Sequence, residues 1–300
     1  MLEYAYKAGI NTWDTADAYS MGRSEEIIGK ALKKCNIPRN RVAIMTKCFF
    51  GVPDDGSMPP ISLMKKNDGP MVNRVGISRK HIFDAVQASM ERLGTYIDVL
   101  QIHRLDHETP KEETMRALND VVKRGWVRYI GASSMATWEF QELQYIAEKH
   151  NWVKFISMQN MYSLLYREEE REMIPYCRHT GVGVIPWFAV AAGVLTRPWD
   201  DASTERAKSD SLLRTLLKNS DGTPEHEIVN RVEEVAKKKN VSMAQVATAW
   251  LLSKPGVNPL LGLSKKERID EAVAAIHLKL TEEEIKYLEE PYMPRPVMGI

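Results

Sequence analysis

Short β-branched or apolar runs alternate with longer amphipathic stretches along the whole chain. This alternation constrains the fold more than any other feature. The runs read as strands at Ile10–Asp14, Arg41–Lys47, Ile97–His103, Val127–Ser133, Phe155–Gln159, Val182–Trp187 and Val257–Gly262, each bounded by turn residues or charges. Helical periodicity covers Ser24–Lys34, Ser78–Leu93, Pro110–Lys123, Thr137–Lys149, Glu168–Arg178, Glu225–Lys239 and Ser242–Leu252. Ser78 reads as an N-cap, Pro110 sits where a first-turn proline is tolerated, and Thr281 with Glu284 forms a capping box for a helix at Glu282–Glu289.

Strict βα alternation implies parallel strands buried on both faces. An open dinucleotide-binding sheet would carry GxGxxG between a strand and a helix, and the chain has none. A closed (β/α)8 TIM barrel, one domain over residues 1–300, is the expected fold class, α/β. The chain opens on a helical pattern at Leu2–Ala8, and the runs number seven rather than eight. The expectation is therefore a barrel incomplete at its N-terminus, its first strand missing. Residues 49–76 and 196–223 read as long loops after strand ends, where barrel active sites lie, and 291–300 as a Pro-rich tail.

Lys and Arg total 41 against 40 for Asp and Glu, a formal net charge of +1. That balance argues against a nucleic-acid or anionic-membrane binder. The three cysteines, Cys35, Cys48 and Cys177, form no CxxC pair and no disulfide scaffold, so a reducing compartment is expected. No signal core opens the chain, and the near-apolar run Gly181–Leu195 is shorter than the roughly 20 residues of a bilayer span. The expected location is cytoplasmic.

The strand ends carry the chemistry. The first offers Asp14 and, after a turn, Tyr19; the second Lys47; the third His103. Each alone has a structural explanation: an ion pair, a packing tyrosine, a core histidine. Together they form a general-acid site for carbonyl reduction. A tyrosine, ordinarily with a pKa of about 10, is poised for proton transfer by an ammonium that a carboxylate holds in place. A histidine orients the carbonyl, and the hydride has to come from a cofactor.

The segments DTADAY (14–19), GRSEEIIGKAL (22–32), TK (46–47), DVLQIHRLD (98–106), VRYIGASS (127–134), MQNMYSLL (158–165), VIPWFAVAAGVLT (184–196) and LLGLSKKERIDEAV (260–273) together resemble the aldo-keto reductase family. The resemblance covers essentially the whole chain and is nearest the fungal aryl-alcohol-dehydrogenase and potassium-channel β-subunit branch. It implies Asp14, Tyr19, Lys47 and His103 as a catalytic tetrad, with Tyr19 the proton donor, and NADPH/NADP+ as cofactor. Ser133 and Gln159 would hold the nicotinamide carboxamide, Ser134 would also bind the cofactor, and Trp187 would stack on the nicotinamide ring. Gly193 and Leu195 would cover the pyrophosphate. Ser264, Lys265 and Arg268 would read the 2′-phosphate, and Glu271 would contact the adenine. Trp13 and Phe49 would line a pocket for a small-molecule carbonyl substrate.

The chain departs from the family pattern at Ser134, at Phe188–Ala192, where relatives carry a serine, a proline and an arginine, and at Ala272. Cys48 should face away from Lys47 and serve packing. His107 lacks partners at ligand spacing, so no metal site is expected. Competing readings are a cofactor-binding regulatory subunit of channel type and an inactive truncated product. Whether the protein is a monomer or a homo-oligomer stays open.

Overall fold

The computed structural model describes residues 1–53, 56–57, 64–201 and 223–298. They form two compact units, Met1–Gln159 and a second that begins at Asn160.

In the first unit α1 (Leu2–Lys7), β1 (Thr12–Asp14), α2 (Arg23–Lys34), β2 (Ala43–Cys48), α3 (Arg79–Leu93), β3 (Ile97–Ile102), α4 (Lys111–Lys123), β4 (Val127–Ser133), α5 (Thr137–Lys149) and β5 (Phe155–Gln159) follow in order. β1 to β5 lie side by side in chain order, all parallel, with β1 at the edge. The register puts Ile44, Thr46 and Cys48 on one face with Leu100, Ile102, Ile130 and Ala132. That face is buried, as are the helix residues Ile82, Val86, Met115, Leu118, Phe140 and Leu143. Each such side chain contributes about 1.5–3 kcal/mol on full burial. Gly29 lets α2 and α3 approach closely, since a Cβ there would stand 2.6 Å from the Leu93 carbonyl oxygen. Ser78 caps α3, its hydroxyl accepting from the His81 N–H. Lys47, Gln101 and Gly131 share the opposite face.

The second unit contains α6 (Met173–Thr180), β6 (Gly183–Val184), α7 (Pro224–Lys239), α8 (Met243–Leu252), α9 (Lys266–Ala275) and α10 (Glu282–Glu289). The helix expected over Glu168–Arg178 is divided into a 3-10 turn, Glu168–Glu170, and α6. Pro175 has no N–H to give Arg171, so the helix starts just before it. The strand expected at Val182–Trp187 shrinks to two residues, and Val257–Gly262 is no strand. What remains is a Val184–Val257 bridge, with Asn258 N–H donating to Val184 and Leu260 N–H to Pro186. Pro186 and Pro259 lack the donors a regular ladder needs. The tail is fastened by Tyr292 Oη to Glu168 at 2.6 Å and by the Met298 N–H to Tyr166 Oη at 2.9 Å.

Much of the two predicted loops and the end of the tail lie outside the described residues. Among the described residues no helix is long and apolar enough to cross a membrane, and no His/Cys/Asp/Glu group is arranged to hold a metal. All three cysteines are free.

Candidate active site

In the first unit the chain leaves β1 at Asp14 but keeps bonding to β2: Thr15 N–H donates to Met45 and Asp17 N–H to Lys47. This extension carries Tyr19 to the end of β2. Lys47 is fully buried, and its three ammonium protons are all engaged. Nζ donates to Asp14 Oδ2 at 2.5 Å, to the Thr15 carbonyl at 2.9 Å and to Tyr19 Oη at 3.4 Å. A buried ammonium without such partners would cost several kcal/mol. Tyr19 itself is 41% exposed.

The other carboxylate oxygen of Asp14 accepts from Gln101 Nε2 at 2.9 Å and Gln159 Nε2 at 3.0 Å, and Gln159 Nε2 also donates to Gln101 Oε1 at 3.0 Å. A carboxylate only accepts, so both amide orientations are fixed. Gln159 Oε1 accepts nothing from the described residues. At the end of β4 the Ser133 hydroxyl donates to the Gln159 carbonyl at 2.7 Å and lies 3.2 Å from the Ser134 hydroxyl.

The His103 ring meets Tyr19 edge-on at 5.8 Å and Phe50 at 4.9 Å. Burial, then the charges of Lys47 and Arg104, hold its pKa well below the usual histidine range, so the ring is neutral at neutral pH. Its Nδ1 is buried without a hydrogen-bond partner among the described residues. A proton there would lack an acceptor, which favours the tautomer protonated on Nε2.

Ala18, Phe50 and Met64 form an apolar cluster, with Met21 and Phe49 packed on it. Trp13 is not brought to this group. It faces away from Asp14 across β1, buried, its indole N–H bonded to the Ile10 carbonyl. Sequence reasoning missed Gln101, Phe50, Met21 and Arg104. Gln101 was findable, since it stands two residues before His103 on the same strand face. Cys48 is buried on the other face, its thiol pushed well up by burial. His107 is exposed, 3.6 Å from Glu139.

The second unit holds the remaining predicted residues. Trp187 meets Phe188 edge-on at 5.7 Å. Phe188, Ala191, Ala192 and Gly193 all have positive φ, at 70°, 49°, 51° and 95°. Each non-glycine among them stores about 1–3 kcal/mol, a pattern concentrated at binding loops. Gly193 and Leu195 N–H groups both bond the Val190 carbonyl. Helix α9 begins at Lys266 without a side-chain cap, beside the exposed Lys265 and Arg268, and Arg268 Nη1 donates to Ser264 Oγ at 3.4 Å. Glu271 is half-buried on the same helix. Uncapped first-turn N–H groups with cations beside them suit a phosphate.

Parallel βα units with a buried lysine, a carboxylate and an accessible tyrosine at the strand ends define a carbonyl oxidoreductase. The sequence profile of the aldo/keto reductase family matches residues 1–292, and the chain belongs to that family. It is 61% identical over 298 residues to the versiconal hemiacetal acetate reductase of Aspergillus parasiticus, covering 99% of this chain and 87% of that protein. It is 55% identical over 305 residues to a Schizosaccharomyces pombe protein named as an aryl-alcohol dehydrogenase, covering 100% and 86%. An aldo-keto reductase of Alternaria alternata is 50% identical over 307 residues, covering 100% and 83%.

Proposed function

We propose that this protein reduces an aldehyde or ketone to an alcohol with NADPH, and that Tyr19 supplies the proton. The observation that carries the reading is the hydroxyl of the exposed Tyr19 held 3.4 Å from the fully buried, carboxylate-paired ammonium of Lys47. As the proton leaves the phenol, that ammonium stabilises the charge left behind. Asp14 fixes the ammonium, and the neutral His103 offers Nε2–H to the substrate oxygen.

The residues present fit a nicotinamide cofactor. Gln159 Oε1 is open to the N–H2 of a carboxamide, with the Ser133 hydroxyl bonded to the Gln159 carbonyl and Ser134 next to Ser133. The exposed cationic start of α9 fits the 2′-phosphate of NADPH, which favours it over NADH through Ser264, Lys265 and Arg268. Trp187 is assigned to the nicotinamide ring, Gly193 and Leu195 to the pyrophosphate, and Glu271 to the adenine. When bound, the cofactor supplies the hydride.

The apolar wall of Phe49, Phe50, Met21 and Met64 suits an aryl or aliphatic carbonyl. The names of the relatives, an aryl-alcohol dehydrogenase and a reductase of an acetylated hemiacetal, support an oxygen-bearing aromatic substrate. Alcohol oxidation is the same chemistry reversed. The reading takes the whole chain as one (β/α)8 barrel domain, with β1–β5 an arc of it, working in the cytoplasm, where the three free cysteines stay reduced.

The test is NADPH consumption with a panel of aldehydes. Turnover that depends on Tyr19 is expected. Turnover unaffected by Tyr19→Phe would remove the assigned mechanism.

A further inference from the structure

Arg104 follows His103 directly at the end of β3, on the rim where Tyr19 and Lys47 converge. Its side chain is half-buried and folds back over the strand end, with Nη1 donating to the His103 carbonyl at 2.7 Å. No carboxylate of the described residues comes within ion-pair distance, and Nε and Nη2 have no acceptor among them. Two other half-buried arginines of the unit each face a carboxylate. Arg39 pairs with Asp98, and Arg92 with Glu25.

A half-buried guanidinium that forgoes a carboxylate carries a desolvation cost that one backbone carbonyl does not offset. Burial lowers the Arg104 pKa against an opposing interaction with Tyr19, and the Arg104 charge adds to the lowering at His103. The group therefore stands within electrostatic reach of the proton donor. On the side of His103 away from Lys47 and Asp14 the packing is apolar: Phe50 meets the His103 ring, and Ala18, Met21, Phe49 and Met64 complete the cluster. Lys65, the other cation at this wall, is exposed, 6.0 Å from the Phe50 ring centre.

We propose that Arg104 is a specificity-determining residue that binds an anionic oxygen on the substrate, so that the preferred substrates are carbonyl compounds with an apolar body carrying a carboxylate or comparable oxyanion. The unfilled N–H groups of a guanidinium match a carboxylate two at a time, and an apolar surround strengthens the pair. The proposal rests on the reductase reading above, because it concerns the same pocket.

The experiment compares NADPH-dependent reduction of 4-carboxybenzaldehyde and 4-methylbenzaldehyde, which are similar in size and differ in charge. Wild type, Arg104→Met and Arg104→Lys are assayed, with Arg104→Gln as a second neutral variant and circular dichroism to verify folding. In wild type the carboxylate substrate should have the higher kcat/KM. The carboxy-to-methyl ratio should fall about 10- to 100-fold in the Met and Gln variants, mainly through KM, as expected for loss of a charge-assisted hydrogen bond. The lysine variant should recover part of it. A ratio indifferent to Arg104, with both aldehydes reduced, overturns this proposal alone. Reduction of neither aldehyde by wild type counts against the reductase reading, and the proposal goes with it.

Discussion

Gln159 donates from one amide nitrogen to both Asp14 and Gln101, at 3.0 Å in each case. A residue assigned to the cofactor carboxamide and the carboxylate that fixes Lys47 are therefore parts of one bonded unit. Gln101 touches both. Gln101→Leu keeps the volume and removes one of the two amide donors to Asp14 and the acceptor that orients Gln159. The expected result is a fall in kcat of about tenfold, corresponding to ~1.4 kcal/mol of lost alignment, with a shifted pH profile. An unchanged kcat and pH profile would make Gln101 scaffold only.

Tyr19→Phe removes the proton but leaves the ring against His103. Reductase activity should fall by about 10²–10⁴-fold. NADPH binding, followed by quenching of tryptophan fluorescence, should persist. Loss of both together would mean that the variant disturbs the fold instead.

Arg268→Ala should raise KM for NADPH by about 10- to 100-fold while changing KM for NADH little, because only the former carries the 2′-phosphate. Equal effects on the two cofactors would remove Arg268 from phosphate recognition.

Burial holds His103 well below the ordinary histidine pKa of 6.5, and His81 is lowered for the same first reason. Below about pH 6.5 the unfolded chain takes up protons that the folded state refuses. Stability is thus fully present above pH 6.5 and declines as pH falls toward the lowered folded values. His103→Asn should flatten part of that decline in urea melts between pH 7 and 5. An identical slope in the variant would contradict this account.

Asp17 behaves in the opposite sense. Its carboxyl is buried, with Oδ1 unpartnered among the described residues. Burial first and then the Glu25 charge raise its pKa well above 3.8, against the opposing charges of Arg92 and Lys47. The folded state retains a proton that the unfolded chain releases, so this contribution is complete below pH 3.8 and is lost as pH rises through the raised value. Asp17→Asn is neutral at every pH. Its stability relative to wild type should therefore climb as pH increases, measured as Tm from pH 5 to 8. A constant difference across that range would refute a protonated Asp17.

The legible and illegible parts of the molecule divide on physical grounds. β4 and β5 match their expected bounds: neither contains proline, and each is held by a parallel ladder to its neighbour. α9 escaped the strand-and-helix reading, since only Ile269 and Ala275 of its ten residues are buried and its periodicity is faint. At the site, strand-end logic assembled Asp14, Tyr19, Lys47 and His103, which the structure brings together. Trp13 failed because period-two alternation turns it away from Asp14. Arg104 was invisible because its significance is the absence of a carboxylate, which depends on chain segments distant in sequence.

Cys48 shares a strand with Lys47 yet is only 1% exposed, behind the sheet and with a thiol that burial keeps far from thiolate. Cys177 is likewise covered, its thiol pushed up to about 12. An enzyme that spends its life among electrophilic aldehydes is under constant threat of alkylating itself. Thiols near the chemistry are its most vulnerable nucleophiles, and here the pleat of one strand puts the nearest of them out of reach. Catalyst lifetime in the presence of reactive substrate is thereby settled by the same alternation that aims the lysine at the tyrosine.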